Sequence, residues 1–131
     1  MERLKLKYQD ALRALVTFKS IIRENYSVII RDATIQRFEY TYELSWKTLK
    51  RYLALESGIE EFNIKNLYRE AGRQNILDNI THWFQYHTAR NMTSHTYNEN
   101  VADETYDLAR AFLVDAEKLV EKLEKLCANS P

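Results

Sequence analysis

Along most of this chain apolar side chains return at three- and four-residue steps, the interval that lines up one face of an α-helix. Leu4, Tyr8, Ala11, Leu12, Leu15, Phe18 and Ile22 form the first stripe, with Glu2, Lys5, Lys7, Asp10 and Arg13 largely off it. A first helix is predicted from Glu2 to about Asn25. The run Val28-Ile29-Ile30 is too short for a helix of its own and reads as a buried connection. Ile35, Phe38, Tyr42, Ser45, Trp46, Leu49 and Leu53 make the second stripe. Asp32 or Thr34 can cap its first turn, and Gly58 can take the left-handed geometry that closes a helix. This helix, from about Asp32 to Glu56, is expected to be the longest. A shorter one starts at Asn63, runs from Ile64 to about Arg73 on the anchor Leu67, and is broken by Gly72 and Gln74-Asn75. A fourth carries Ile76 or Leu77, Ile80, Trp83, Phe84 and His87, and ends near Arg90. Asn98 or Asn100 can cap the last, whose stripe is Val101, Thr105, Leu108, Phe112, Ala116, Leu119, Leu123 and Leu126, reaching about Cys127. No stretch reads as a strand. The pattern predicts an all-α, up-and-down bundle of about five helices, one domain over residues 1–131.

Composition sharpens this in two respects. Two Gly and one Pro leave little material for turns, which favours few and long elements. Lys plus Arg is 19 and Asp plus Glu is 19, so no global field draws in nucleic acid, and any such site must rest on a local cluster. The lone Cys127 excludes an internal disulfide and fits a reducing cytosol. Residues Met1 to Lys7 are charged with no apolar run behind them, unlike a secretory signal, and no segment has the apolar length of a membrane span. A cytoplasmic location is the expectation.

Candidate chemistry concentrates between Arg90 and Asn100, where a guanidinium, an amide, an imidazole and a phenol crowd together. Arg90 offers a fixed fork of donors matched to phosphate oxygens, and His95 can exchange a proton near neutrality. Phosphodiester chemistry without a metal needs those two groups. The spacing alone favours the plainer reading, Arg90 closing a helix and His95 sitting in a polar turn. Asn91 and His95, four apart, would share a helical face; Arg90 and His95, five apart, would not. They converge within one chain only if the helix ends between them, or else across a two-fold axis. Elsewhere, Glu39 and Glu43 share a face, but no His or third carboxylate joins them. The simpler reading pairs Glu43 with Lys47 and has Glu39 bond a neighbouring helix. His82 and His87 lie about 140° apart on a helix, too far round to hold one metal. No metal and no cofactor are expected.

The order Arg90-Asn91, then His95-Thr96-Tyr97, resembles the signature of the HEPN superfamily, and more closely its nucleotidyltransferase substrate-binding branch. Two further blocks carry the resemblance: Ile35 to Lys50, similar to that branch's long second helix, and Tyr68-Arg69-Glu70-Ala71-Gly72. It extends from about Tyr8 to Leu123. The resemblance implies a homodimer with Arg90 and His95 of both subunits lining one cleft, and a minimal nucleotidyltransferase as partner. It further implies metal-independent endonucleolytic cleavage of RNA. His95 would be the acid–base group, Arg90 the phosphate stabiliser, and Asn91 would hold a phosphate oxygen or orient His95. Tyr97 would be the residue that accepts AMP from the partner, blocking RNA by bulk and like charge. The alternative is a non-catalytic substrate-binding subunit of a two-component nucleotidyltransferase. A plain helical dimerisation module stands third. The chain is not itself the transferase, having no Asp-x-Asp pair.

Overall fold

The computed structural model describes residues 2–60 and 63–128, with side chains from Tyr8 onward. Five α-helices follow one another: α1 (Glu2–Ile22), α2 (Val28–Ser57), α3 (Ile64–Arg73), α4 (Ile80–Met92) and α5 (Glu99–Ala128), with a 3₁₀ turn (Thr93–His95) between the last two. No strand occurs among the described residues. The all-α bundle read from the apolar stripes is the observed fold.

Phe112 on α5 is the hub of the core. Its ring meets Phe18 of α1 at 6.1 Å, Phe38 and Tyr42 of α2 at 5.3 and 5.8 Å, and Trp83 and Tyr86 of α4 at 5.6 and 5.1 Å. Most of these approaches are edge-to-face, the arrangement in which a ring's positive rim meets its neighbour's negative face. One side chain therefore fixes where α4, the carrier of Arg90, lies against α2.

The element boundaries correct five expectations. Helix α1 ends at Ile22 rather than Asn25. Helix α2 starts at Val28, because Ser27, not Asp32 or Thr34, is its cap: the Ser27 hydroxyl accepts from the Ile30 amide at 3.1 Å. Val28 and Ile29 are accordingly no buried connection; they form an exposed first turn, Ile29 at 80%. At 30 residues α2 is matched in length by α5. Helix α4 begins at Ile80 behind the cap Asn79, while Ile76 and Leu77 pack into the core from the preceding loop. Asn98 caps α5 as expected, accepting from the amides of Asn100 and Val101 at 3.0 and 3.3 Å.

Gly72 does not end α3; it lies inside it. A Cβ there would come within 2.7 Å of Ile80 Cγ2, so its hydrogen lets the start of α4 close onto α3. The break comes at Asn75, which takes a left-handed φ of 59°. A further contact ties α2 to the start of α5. Arg31, 2% exposed, donates to Glu99 at 2.6 Å, Asp103 at 3.2 Å and Asp32 at 3.0 Å, and Tyr26 donates to Asp103 at 2.7 Å. This clamp fixes the far end of the turn that holds the motif.

Candidate active site

Arg90 occupies the last turn of α4, one turn before the helix tightens into the 3₁₀ turn. Thr93 drives that change: its hydroxyl donates back to the Arg90 carbonyl at 2.7 Å, satisfying one of the acceptors that a helix end leaves open. The Arg90 guanidinium is pinned at two points. Nε donates to Glu43 Oε1 at 3.1 Å, and Nη1 donates to Thr93 Oγ1 at 3.2 Å. That leaves three of its five N–H groups without a protein acceptor among the described residues. Glu43 also meets Lys47 at 3.7 Å, as the sequence suggested, whereas Glu39 has no hydrogen-bond partner among the described residues and is not bonded to a neighbouring helix.

His95 ends the 3₁₀ turn, exposed, its ring edge-on to Tyr97 at 6.1 Å. Tyr97 is 83% exposed. Asn91 is exposed on α4, its amide 3.5 Å from Nε2 of His87 one turn earlier. The four residues singled out in the sequence thus share one short stretch of surface, and Arg90 and His95 make no hydrogen bond to each other within the chain. The helix does end between them, which removes the different-face obstacle.

Beneath the stretch the structure adds groups the sequence reading passed over. His87 Nδ1 lies 3.3 Å from the Tyr42 hydroxyl, which lies 2.5 Å from that of Tyr68. Burial pushes both phenols well above their usual range, so they act as neutral hydrogen-bonding groups. Burial also pushes the His87 imidazole down; Lys65 adds to that and Glu43 opposes it. His87 could have been picked out, since it stands one turn before Asn91 on the same face. Tyr42 lies 45 residues before His87, Glu43 lies 47 before Arg90, and Tyr68 is bonded to Tyr42 across 26; local spacing holds no trace of such contacts. Among the described residues no group of three or more His, Cys, Asp or Glu side chains could hold a metal ion, and no helix is long and apolar enough to cross a membrane.

Comparison with known proteins bears on this arrangement. Residues 5–125 match the family model described as nucleotidyltransferase substrate binding protein like. The chain is 36% identical over 95 residues to a Haemophilus influenzae protein described as probable ribonuclease HepT, an alignment covering 70% of this chain and 65% of that protein. The chain thus spans just under two thirds of that relative's length. A solved structure from Thermus thermophilus is 34% identical and superposes with a TM-score of 0.80, over 86% of this chain and 98% of the other. A second, from Haemophilus influenzae, is described as revealing the fold of a substrate binding domain of a nucleotidyltransferase. It is 28% identical at a TM-score of 0.69, over 94% and 98% of the two chains. The family match over nearly the whole length, on a bundle that carries Arg90-Asn91 in the last turn of α4, means that this chain belongs to the nucleotidyltransferase substrate-binding protein family of the HEPN superfamily.

Proposed function

We propose that the protein is a metal-independent endoribonuclease whose working form is a homodimer, partnered by a minimal nucleotidyltransferase. The observation that carries this reading is the state of Arg90: pinned by Glu43 and Thr93, it keeps three N–H groups for a ligand, close in sequence to an imidazole with no hydrogen-bond partner of its own among the described residues. The ribonuclease description of the 36% identical relative supports it. In the reaction His95 takes the proton of a ribose 2′-hydroxyl. The 2′-oxygen attacks the adjacent phosphorus and the bond to the 5′-oxygen breaks. A 2′,3′-cyclic phosphate forms, and the proton returns to the leaving 5′-oxygen. Arg90 stabilises the extra negative charge on the pentacoordinate phosphorus, and Asn91 holds a phosphate oxygen. Control sits at Tyr97: its exposed hydroxyl attacks the α-phosphate of ATP on the partner enzyme, gaining AMP and releasing pyrophosphate. The added charge then repels RNA.

RNA cleavage by the purified protein, with and without chelator, tests the reading. His95→Ala should lose about 10²–10⁴-fold in rate. Arg90→Lys should recover little over Arg90→Ala, because a point charge does not copy the planar fork. Tyr97→Phe should cleave normally yet ignore partner plus ATP. If a folded His95→Ala cleaves as fast as the parent, the activity is a contaminant. The second reading, a non-catalytic substrate-binding subunit, then holds; it is favoured by the likeness to the solved nucleotidyltransferase domain.

A further inference from the structure

The polar line beneath the motif has a direction. The Tyr68 side chain is fully buried, and among the described residues its hydroxyl has one partner, the hydroxyl of Tyr42 at 2.5 Å. A buried O–H must donate somewhere, so Tyr68 donates to Tyr42. Tyr42 is then free to turn its own proton to His87 Nδ1 at 3.3 Å, which must be the bare nitrogen of the ring. In a neutral imidazole the proton then sits on Nε2, facing Asn91, whose amide nitrogen as placed lies 3.5 Å away. An N–H needs the amide oxygen, and a half-turn about the last side-chain bond of Asn91 supplies it; such amides are oriented by their hydrogen-bond network. The amide nitrogen, with both N–H groups, is thereby turned away from His87, on a side chain that is itself exposed.

We propose that His87 is a positioning residue: the chain Tyr68→Tyr42→His87→Asn91 holds the Asn91 amide nitrogen outward as a phosphate donor. Its role in cleavage rests on the ribonuclease reading; the chain itself does not. The charged groups acting on the imidazole are Lys65 of α3 and Glu43 of α2. Burial together with Lys65 outweighs Glu43 and favours the neutral ring that the chain requires.

Ring-nitrogen NMR of the full chain at pH 7.5 decides the direction. His87 should show a protonated Nε2 and a bare Nδ1, and Tyr42→Phe should weaken that preference. A proton on Nδ1, or a cationic ring, overturns the proposal. In the RNA assay His87→Leu should lose roughly two- to tenfold, the weight of one neutral hydrogen bond, while His87→Gln, which can place an amide nitrogen near the Nε2 position, keeps most of the rate. Added to Asn91→Ala, His87→Leu should cost nothing more. Two independent full losses would refute action through Asn91. If the parent does not cleave RNA, the ribonuclease reading fails and the tautomer alone decides the chain.

Discussion

At the scale of single residues, the geometry of the candidate site depends on side chains outside the motif. Glu43 sets the angle of the Arg90 guanidinium through one 3.1 Å bond. Glu43→Ala should leave the fold intact but cut RNA cleavage about tenfold to a hundredfold, since small misplacements of a charged donor are costly in rate. Glu43→Gln, which keeps an acceptor in place, should fall between the variant and the parent. His87 makes a second prediction, this one about pH. Its folded-state pKa is lowered, so below the unfolded value near 6.5 the unfolded chain binds the proton more readily than the native one. Stability should therefore be fully present above about pH 6.5 and fall as the pH drops below it toward the lowered folded-state value. Urea titrations across that range would record it, and His87→Gln should flatten the slope.

At the scale of elements, two short contacts govern how the helices meet. Gly72→Ala places a methyl 2.7 Å from Ile80 Cγ2, and that carbon is a branch next to the backbone, unable to swing aside cheaply. The variant should lose about 1–3 kcal/mol, as overpacked cores do, despite alanine's better helix propensity. Ile80→Ala in the same chain should restore part of the loss, read as a recovered melting temperature. Ser27→Ala removes the α2 cap and should cost about 1 kcal/mol. These positions also show what the sequence could tell. The stripes located all five helices, because burial on one helical face leaves a periodic record. They misplaced the starts of α2 and α4, because an apolar run reports burial or exposure only through its neighbours. Val28 and Ile29 are apolar yet exposed, and Ile76 and Leu77 are buried yet outside any helix. The candidate residues Arg90, Asn91, His95 and Tyr97 could be read together because they fall within eight positions of one another. The groups that orient them lie on α2 and α3, and only folding brings them near.

At the scale of the whole molecule, two properties follow from the end of the bundle where α2 and α5 begin. Asp103 is held below the usual carboxylate range by its bonds from Tyr26 and Arg31, so the clamp is complete above about pH 4 and is lost as the pH falls through the lowered value. Acid unfolding monitored by circular dichroism should therefore begin at higher pH in Asp103→Asn, which lacks the charge throughout. Tyr26, Val28, Ile29 and Tyr97 stay exposed by half or more. A homodimer meeting at the motif is the expected state, and a strictly monomeric mass by ultracentrifugation at micromolar concentration would argue against it.

Phe112 has a consequence in time as well as in space. Helix α4 has 13 residues, a length at which an isolated helix is marginal in water. Trp83 and Tyr86 hold it by packing on Phe112, and Tyr86 and His82 by bonding Asp115. All of those anchors are translated after the motif. At about 5–20 residues per second, a ribosome would carry Arg90 and His95 for seconds before α5 emerges to seat them. On the ribonuclease reading proposed above, the site stays incomplete while the chain is still tethered to the RNA-rich machine that makes it. A chain halted after Asn98 would hold every motif residue but none of the Phe112 and Asp115 contacts that seat α4 on α5.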